Sequence, residues 1–149
     1  MDQVVLAIVA VCAGLAAGSV VFQSFIVAPA VFGSLDADTA RSFLRTLFPR
    51  FFRLNLVTAS LACVALVVSG VLTGWSTLEI WSAAATATMA LAMFASLAVV
   101  PAINAARDQG PAGEKTFSRL HLLTVLLTVM VLLLAVALLV AIGGTSLGY

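Results

Sequence analysis

The sequence predicts an all-α integral membrane protein, a four-helix bundle with a short interfacial amphipathic helix. Of the 149 residues, 63% are hydrophobic and only 9% are charged, whereas a soluble domain carries about 25% charged residues. Four uncharged runs each exceed the roughly 20 residues that cross a hydrocarbon core of about 30 Å: Gln3–Leu35, Leu54–Leu78, Ile80–Ala106 and Leu120–Tyr149. We expect a single domain over residues 1–149, with spans at about 3–32, 51–72, 78–103 and 117–142.

Span 1 carries small residues at four-residue spacing, Ala10, Gly14 and Gly18. Such spacing lets the backbones of two membrane helices approach closely. We therefore expect this ridge to pack against another helix, first of all against the similar ridge Ala84–Ser96 of span 3. Pro29 predicts a kink near the end of span 1, or a change to extended chain at Ala28.

The stretch between spans 1 and 2, residues 36–55, concentrates four of the seven basic residues. Read as a helix, it places apolar side chains on one face and Arg41 and Arg45 off it; that face comprises Ala40, Phe43, Leu44, Leu47, Phe48 and Phe51. A helix of this kind lies in a membrane interface with its arginines among the head groups. Pro49 fits the first turn of a new helix, so we expect a hinge between two helices.

The remaining spans are bounded by turn and interface residues. Trp75 and Trp81 bracket a short turn between spans 2 and 3, as an interfacial aromatic belt would. Pro101 and Asn104 close span 3, and the following segment, Ala106–Lys115, is expected to be irregular because it contains two glycines and a proline.

The two halves of the chain resemble each other. The segment Phe51–Thr58 aligns with Phe117–Thr124, and Ala28–Val31 aligns with Val100–Ile103. Two spans per half keep both halves in the same orientation. The pattern predicts a two-hairpin internal repeat about an axis along the membrane normal, unless the likeness is the chance similarity of two hydrophobic hairpins.

The basic residues predict the orientation in the membrane. All seven lie in the two connections that follow spans 1 and 3: Arg41, Arg45, Arg50, Arg53, Arg107, Lys115 and Arg119. Because cytoplasmic loops carry an excess of Lys and Arg, we expect an inner (plasma) membrane protein with both connections in the cytoplasm and both termini outside.

A cluster of polar residues on the predicted cytoplasmic side is the main candidate ligand-binding site. It comprises Arg53, Asn55, Asn104, Arg107, Arg119 and His121. Ionisable residues at membrane depth are candidates for function, although Arg53 and Arg119 could instead extend toward lipid phosphates. His121 is either a haem ligand, a metal ligand or a proton-transfer group, or a polar cap at a helix end. Motifs of soluble enzymes such as GxGxxG, the P-loop, HExxH and CxxC are missing from the sequence.

Sulfur-containing side chains inside the spans suggest a second kind of site. Thiolate and thioether groups suit Cu(I), and the candidates are Cys12, Cys63, Met89, Met93 and Met130. His121, Cys63 and Cys12 are the candidate metal ligands, and haem or copper the candidate cofactors. The alternative is that the cysteines are small apolar residues and that the methionines fill gaps in the core.

Three motifs resemble the transmembrane-protein-205-like family of small four-span membrane proteins. They are Phe25–Phe32 with its Ala-Pro-Ala-Val-Phe, Leu47–Phe52 with its Leu-Phe-Pro-Arg, and Phe117–His121 with its Arg-Leu-His. Where that family places Gly, Ser and Asn after the Leu-His pair, this chain has Leu122, Thr124 and Thr128. The Pro101–Asn104 motif is similar to one in anthrone-oxygenase-like four-span proteins. The resemblance implies a four-span fold and a membrane location, with a loose link to metal or small-molecule handling.

These observations favour a non-enzymatic protein that binds or helps to transport a small solute, cofactor or soft metal near its cytoplasmic face. A haem- or oxygen-dependent membrane oxidoreductase is the alternative, and a structural subunit of a membrane complex is a third possibility. The expected partners are the lipid bilayer and either a second copy of the chain or a membrane-complex partner, but no nucleic acid.

Overall fold

The computed structural model describes residues 2–146 of the chain, with side chains for residues 2–144. It contains five α-helices: α1 (Gln3–Phe22), α2 (Ala28–Ser34), α3 (Ala37–Thr73), α4 (Thr77–Asp108) and α5 (Glu114–Ser146). A π-helical turn, Gln23–Val27, joins α1 to α2, and a 3-10 turn, Gly110–Gly113, precedes α5. The described residues form no strand, so the predicted all-α fold is confirmed.

Four long helical segments are long and apolar enough to cross a membrane: Gln3–Ser34, Ala37–Thr73, Thr77–Asp108 and Gly110–Gly144. The predicted multi-pass membrane protein is thereby supported. Contacts run from α1 to α3, from α3 to α4, from α4 to α5 and from α5 back to α1. The helices therefore form an up-down-up-down four-helix bundle in which neighbours are antiparallel. We call the end that carries the α2–α3 and α4–α5 connections the basic end.

The amphipathic segment before span 2 differs from the sequence prediction. Pro49 lies inside α3, which continues from Ala37 to Thr73. The amphipathic segment is therefore the first part of a single long helix, without a hinge. Proline removes one backbone hydrogen bond from a helix, but Ala40 and Leu44 are buried against Val31 of α2. This packing holds the turns before Pro49 in helical conformation.

Pro29 also acts differently from the prediction. Ala28 is helical, with φ −62° and ψ −49°, and its N–H donates to the carbonyl of Gln23, five residues earlier. The ring of a proline within a helix crowds the carbonyl four residues before it, which here belongs to Phe25. Widening this turn into a π-helical one relieves the crowding without ending the helix.

The connection between α4 and α5 is more regular than expected. Helix α4 passes through Pro101 and ends at Asp108, and a single 3-10 turn leads directly into α5. Gly113 allows this tight connection: a Cβ placed there would lie 1.8 Å from the carbonyl oxygen of Ala106. Gly110 has φ +59°, a conformation that favours glycine.

The predicted ridge of span 1 faces away from the bundle. Gly14 and Gly18 are exposed, and a Cβ added to either would meet no atom within 4 Å. The buried face of α1 instead consists of Val9, Cys12, Ala13, Ala16 and Val20. The prediction that Gly14 and Gly18 pack against span 3 is therefore wrong. Half of the Ala84–Ser96 ridge also points outward, since Ala84 and Thr88 are exposed while Ala92 and Ser96 are buried.

Candidate functional site

A surface pocket at the basic end lies between α2, the start of α3 and the end of α4. Its volume is about 300 Å³, and it is lined by Phe32, Leu35, Ala37, Ala40, Arg41, Leu44 and Arg107. We call it the arginine pocket. Its walls are mostly apolar, and two guanidinium groups supply its charge.

Two ion pairs lie beside this pocket, and one of them connects two helices. Arg45 on α3 pairs with Asp108 at the end of α4, so the start of α3 is tied to the end of α4. Arg41 pairs with Asp38 one turn earlier on α3, at 2.7 Å. Both pairs are partly open to their surroundings, and exposed ion pairs contribute little to stability. Each pair gives its arginine a carboxylate partner beside the pocket.

Arg107 has a different kind of partner. Its guanidinium carbon lies 4.2 Å from the centre of the Phe117 ring, a cation–π contact between α4 and α5. Among the described residues, no carboxylate forms an ion pair with Arg107, and the positive charges of Arg41 and Arg45 act on it. Arg107 is half-buried, so its charge is only partly screened by surrounding solvent or head groups.

His121 extends the same stack of planar groups. Its ring is nearly parallel to that of Phe117, with 5° between the planes and 5.6 Å between the centroids. A second, shallower pocket of about 210 Å³ adjoins the stack and is also bordered by Arg107. Its remaining walls are Ala106, Gly110, Pro111, Glu114 and Phe117. Arg107 is thus common to both pockets at this end of the bundle.

The six residues proposed from sequence as one ligand-binding cluster lie in different surroundings. Asn55 is 1% exposed inside the bundle; its amide nitrogen donates to the carbonyl of Phe51, and its oxygen lies 3.1 Å from the Ser19 hydroxyl. Asn104 is half-buried on α4. Arg53, Arg119 and His121 are exposed on the outside of the bundle. Arg107 and His121 are brought together through Phe117, whereas Asn55 belongs to the interior.

The candidate metal ligands do not form a cluster. Cys12 is buried against Ala62 and Leu66, and Cys63 lies 3.9 Å from the carbonyl oxygen of Ala83. No group of three or more His, Cys, Asp or Glu side chains that could hold a metal occurs in the part of the chain that the structure describes. Met89 and Met93 are fully buried in the main core.

Sequence reasoning missed several residues in and beside the arginine pocket. Arg41 and Arg45 were assigned to the polar face of an interfacial helix, and Asp108 was not considered. The spacing of Arg41 and Arg45 gives no sign that α4 ends beside them, because this depends on the packing of α3 against α4. Phe117 could have been found, since Phe117 and His121 are four residues apart and so share a helix face.

A buried carboxylate at the opposite end was also not singled out as a site. Glu79 is 1% exposed and accepts hydrogen bonds from the Ser69 hydroxyl at 2.9 Å and from the Ser76 hydroxyl at 2.8 Å. It completes a capping box with Ser76 at the start of α4. These bonds explain its burial as part of helix capping.

Comparison with known proteins places the chain in a family whose function is unknown. Residues 11–112 match the family model described as Domain of unknown function (DUF4149), and the chain belongs to this family. The match includes α3, α4 and the arginine pocket, and it ends before α5. No curated protein and no solved structure matches the chain. The chain thus belongs to an uncharacterised family, and no match supports the transmembrane-protein-205-like name.

Proposed function

We propose that this protein binds a small anionic solute in the arginine pocket and helps to move it across the membrane. The observation that carries the proposal is the position of Arg107, which borders both pockets and has an aromatic ring as its contact partner. Arg41 and Arg45 each have an aspartate, Asp38 and Asp108. A bound anion would give Arg107 a counter-charge of its own.

The shape and chemistry of the pocket favour a particular class of anion. A guanidinium group binds a carboxylate or phosphate through two parallel N–H donors. The apolar walls formed by Phe32, Leu35 and Leu44 would bury the hydrocarbon part of such a molecule at about 25 cal/mol per Å². We therefore propose a small carboxylate with an apolar body, in preference to a fully hydrated inorganic ion.

Orientation and family relation belong to the same proposal. The basic residues favour a cytoplasmic position for the basic end, in an inner membrane with both termini outside. The solute would then enter the arginine pocket from the cytoplasm or leave it into the cytoplasm. The Leu-Phe-Pro-Arg motif at residues 47–50 and the Arg-Leu-His motif at residues 119–121 support a relation to the transmembrane-protein-205-like family. Small-molecule handling is consistent with that relation.

Anion binding to the purified protein tests the proposal. In detergent micelles, isothermal titration should show that benzoate and octanoate bind more tightly than phosphate. Arg107→Gln should weaken benzoate binding at least tenfold, about 1.4 kcal/mol, because it removes the charge and the paired donors. Arg107→Lys should give an intermediate affinity, since it keeps the charge without the planar fork.

Arg53→Gln is the matched control, because Arg53 is exposed and lines neither pocket. It should bind benzoate as the parent protein does. The proposal is wrong if none of the three anions binds, or if Arg53→Gln weakens binding as much as Arg107→Gln. Benzoate flux through proteoliposomes then separates a transporter from a protein that only binds the anion.

A further inference from the structure

A buried amide in the membrane-spanning part of the bundle carries an inference independent of the arginine pocket. Gln23, the first residue of the π-helical turn, is 8% exposed. Its backbone N–H donates to the carbonyls of Ser19 and Val20, and its own carbonyl accepts from Ala28. Its side-chain nitrogen Nε2 is buried and has no hydrogen-bond partner within the described residues.

Such a group is costly in this position. An unpaired polar group within the hydrocarbon region is strongly unfavourable, because no water is available there to bond it. Nearly all buried polar groups in proteins have a partner, either protein or bound water. Single π-helical turns also occur frequently at functional sites. The environment of Gln23 therefore indicates which molecule could provide the missing partner.

Side-chain contacts between neighbouring helices place other polar groups at the level of Gln23. Ser19 on α1 contacts Asn55 on α3, and the two helices are antiparallel. Gln23, four residues after Ser19, therefore lies level with Phe51, four residues before Asn55. Helices α3 and α4 are also antiparallel, and they meet where Cys63 contacts Ala83 and where Ser69 contacts Glu79. Counting back along α3 and forward along α4 from these contacts places Phe51 level with Ser96. By the same reasoning, the contact of Arg107 with Phe117 sets Ser96 level with Thr128 on α5.

The hydroxyl groups at this level can accept further hydrogen bonds. Ser96 is fully buried, and its hydroxyl donates to the carbonyl of Ala92 at 2.8 Å. Thr128 donates to the carbonyl of Thr124 at 2.7 Å. Each hydroxyl has one hydrogen and two lone pairs, so both oxygens can still accept a hydrogen bond. The level thus combines the unpaired donor of Gln23 with hydroxyl oxygens that can accept.

We propose that the bundle binds a neutral hydroxylic molecule, of which water is the smallest, between Gln23 Nε2 and the hydroxyl of Ser96. The molecule accepts a hydrogen bond from Gln23 and donates one to Ser96. A molecule that is both donor and acceptor fits this pair, whereas an anion would bring an uncompensated charge into an apolar core formed by Val20, Phe51, Phe52 and Met93. The site lies deeper in the membrane than the arginine pocket.

Whether replacing Gln23 stabilises or destabilises the protein tests this site. Replacing an unpaired buried amide by an apolar side chain of similar size stabilises a protein, whereas removing one partner of a bound molecule destabilises it. Gln23→Met should therefore lower the thermal unfolding temperature of the protein in lipid nanodiscs. Gln3→Met is the matched control, since Gln3 is exposed at the start of α1, and it should leave the unfolding temperature unchanged.

Water-edited solid-state NMR of the parent protein in bilayers gives a second readout that needs no variant. Rapid polarisation transfer from water to the Gln23 side-chain amide identifies the bound molecule as water. Slow transfer together with a destabilising Gln23→Met variant identifies another hydroxylic molecule, which organic extraction and mass spectrometry would name. A stabilising Gln23→Met variant overturns the proposal, whatever the transfer rate. If the variant cannot be purified, slow transfer in the parent together with no hydroxylic molecule in the organic extract overturns it.

Discussion

At the scale of single residues, the chain satisfies most of its buried polar groups through nearby backbone. Thr58, Thr86 and Thr124 donate to carbonyls three or four residues earlier in their own helices. Such back-bonding lets hydroxyl groups lie inside a membrane bundle without a partner on another helix. Asn55 and Glu79 bond across helices or turns, to Ser19 and Ser69 respectively. Gln23 is the exception, because its buried side-chain nitrogen has no hydrogen-bond partner among the described residues.

Asp36 shows how one exposed carboxylate starts the longest helix. Its side chain accepts hydrogen bonds from the backbone N–H groups of Asp38 and Thr39, both at 3.1 Å. Hydrogen bonds from Thr39 are the largest cause that lowers the pKa of Asp36 below its usual value. Because the folded pKa is below the unfolded one, the contribution to stability is present at neutral pH. It is lost as the pH falls through the lowered pKa.

We therefore expect acid to loosen the first turn of α3. Below about pH 4, near the ordinary pKa of aspartate, the backbone amides of Asp38 and Thr39 should begin to lose protection in hydrogen-exchange mass spectrometry. Asp36→Asn keeps an acceptor oxygen at the N-cap and should show no such pH dependence. Equal acid sensitivity of the parent and Asp36→Asn would show that the carboxylate does not control this turn.

At the scale of helices, the buried face of α1 determines how closely it approaches its neighbours. Ala13 and Ala16 lie in the main core together with Met89 and Met93. Gly14 and Gly18, on the exposed side, leave open space around them. The close approach that four-residue spacing of glycines suggested is thus made by alanines on a different face. Both faces contain small residues, so composition alone could not choose between them.

Substitutions on the two faces of α1 should have opposite outcomes. Ala16→Leu adds bulk at a position that is 1% exposed, and overpacking of a core costs about 1–3 kcal/mol. Gly14→Leu adds the same side chain on the open face and should leave thermal unfolding in detergent unchanged or raise it slightly, because leucine favours helix more than glycine does. Equal loss of stability in both variants would contradict the observed rotation of α1.

Helix α5 shows why the two halves of the chain differ despite their similar sequences. Thr58 and Thr124 match in the repeat, and both are buried and donate to the carbonyl three residues earlier. Asn55 and His121 also match, but Asn55 is buried and His121 is exposed. In its most apolar stretch, α5 buries 17% of its residues against 33% for α3. His121 lies on the outward-facing surface of α5.

At the scale of the whole molecule, the seven basic residues gather at one end of the bundle because of its up-down topology. They lie in the first half of α3, at the end of α4 and at the start of α5, beside the two connections that follow α2 and α4. The Arg45–Asp108 ion pair joins α3 to α4 at this end. The turn between α3 and α4 lies at the opposite end, where Gly74 has φ +90°. Because the basic residues lie at one end only, labelling one position at each end of the bundle tests the orientation in the membrane.

Cysteine labelling should show the basic end in the cytoplasm. In a background with Cys12→Ala and Cys63→Ala, a cysteine introduced by Thr77→Cys should react with a membrane-impermeant maleimide in intact cells. One introduced by Ser42→Cys should react only after the cells are opened. Both positions are exposed, one at each end of the bundle. Labelling of Ser42→Cys in intact cells would reverse the proposed topology.

The sequence by itself determined the class of fold and the approximate spans. Length and apolar composition decide whether a segment can cross a bilayer, because hydrocarbon requires every backbone group to be hydrogen-bonded within a helix or barrel. Each predicted span lies within one of the four long helical segments, and these segments continue through Pro29, Pro49 and Pro101. Proline effects were harder to predict, since packing of the flanking turns and a π-helical turn can compensate for a lost hydrogen bond.

Only the tertiary structure decided which side chains share a site. Arg107 was proposed from sequence, but its neighbours Arg41 and Phe117 come from other helices, and the rotation of each helix determines where they meet. Several faces of these helices are apolar enough to face either protein or lipid. Hydrophobicity therefore does not distinguish the interior of the bundle from its surface, as it does in a soluble protein. The exposure of Gly14 and His121 and the burial of Gln23 thus depend on helix packing.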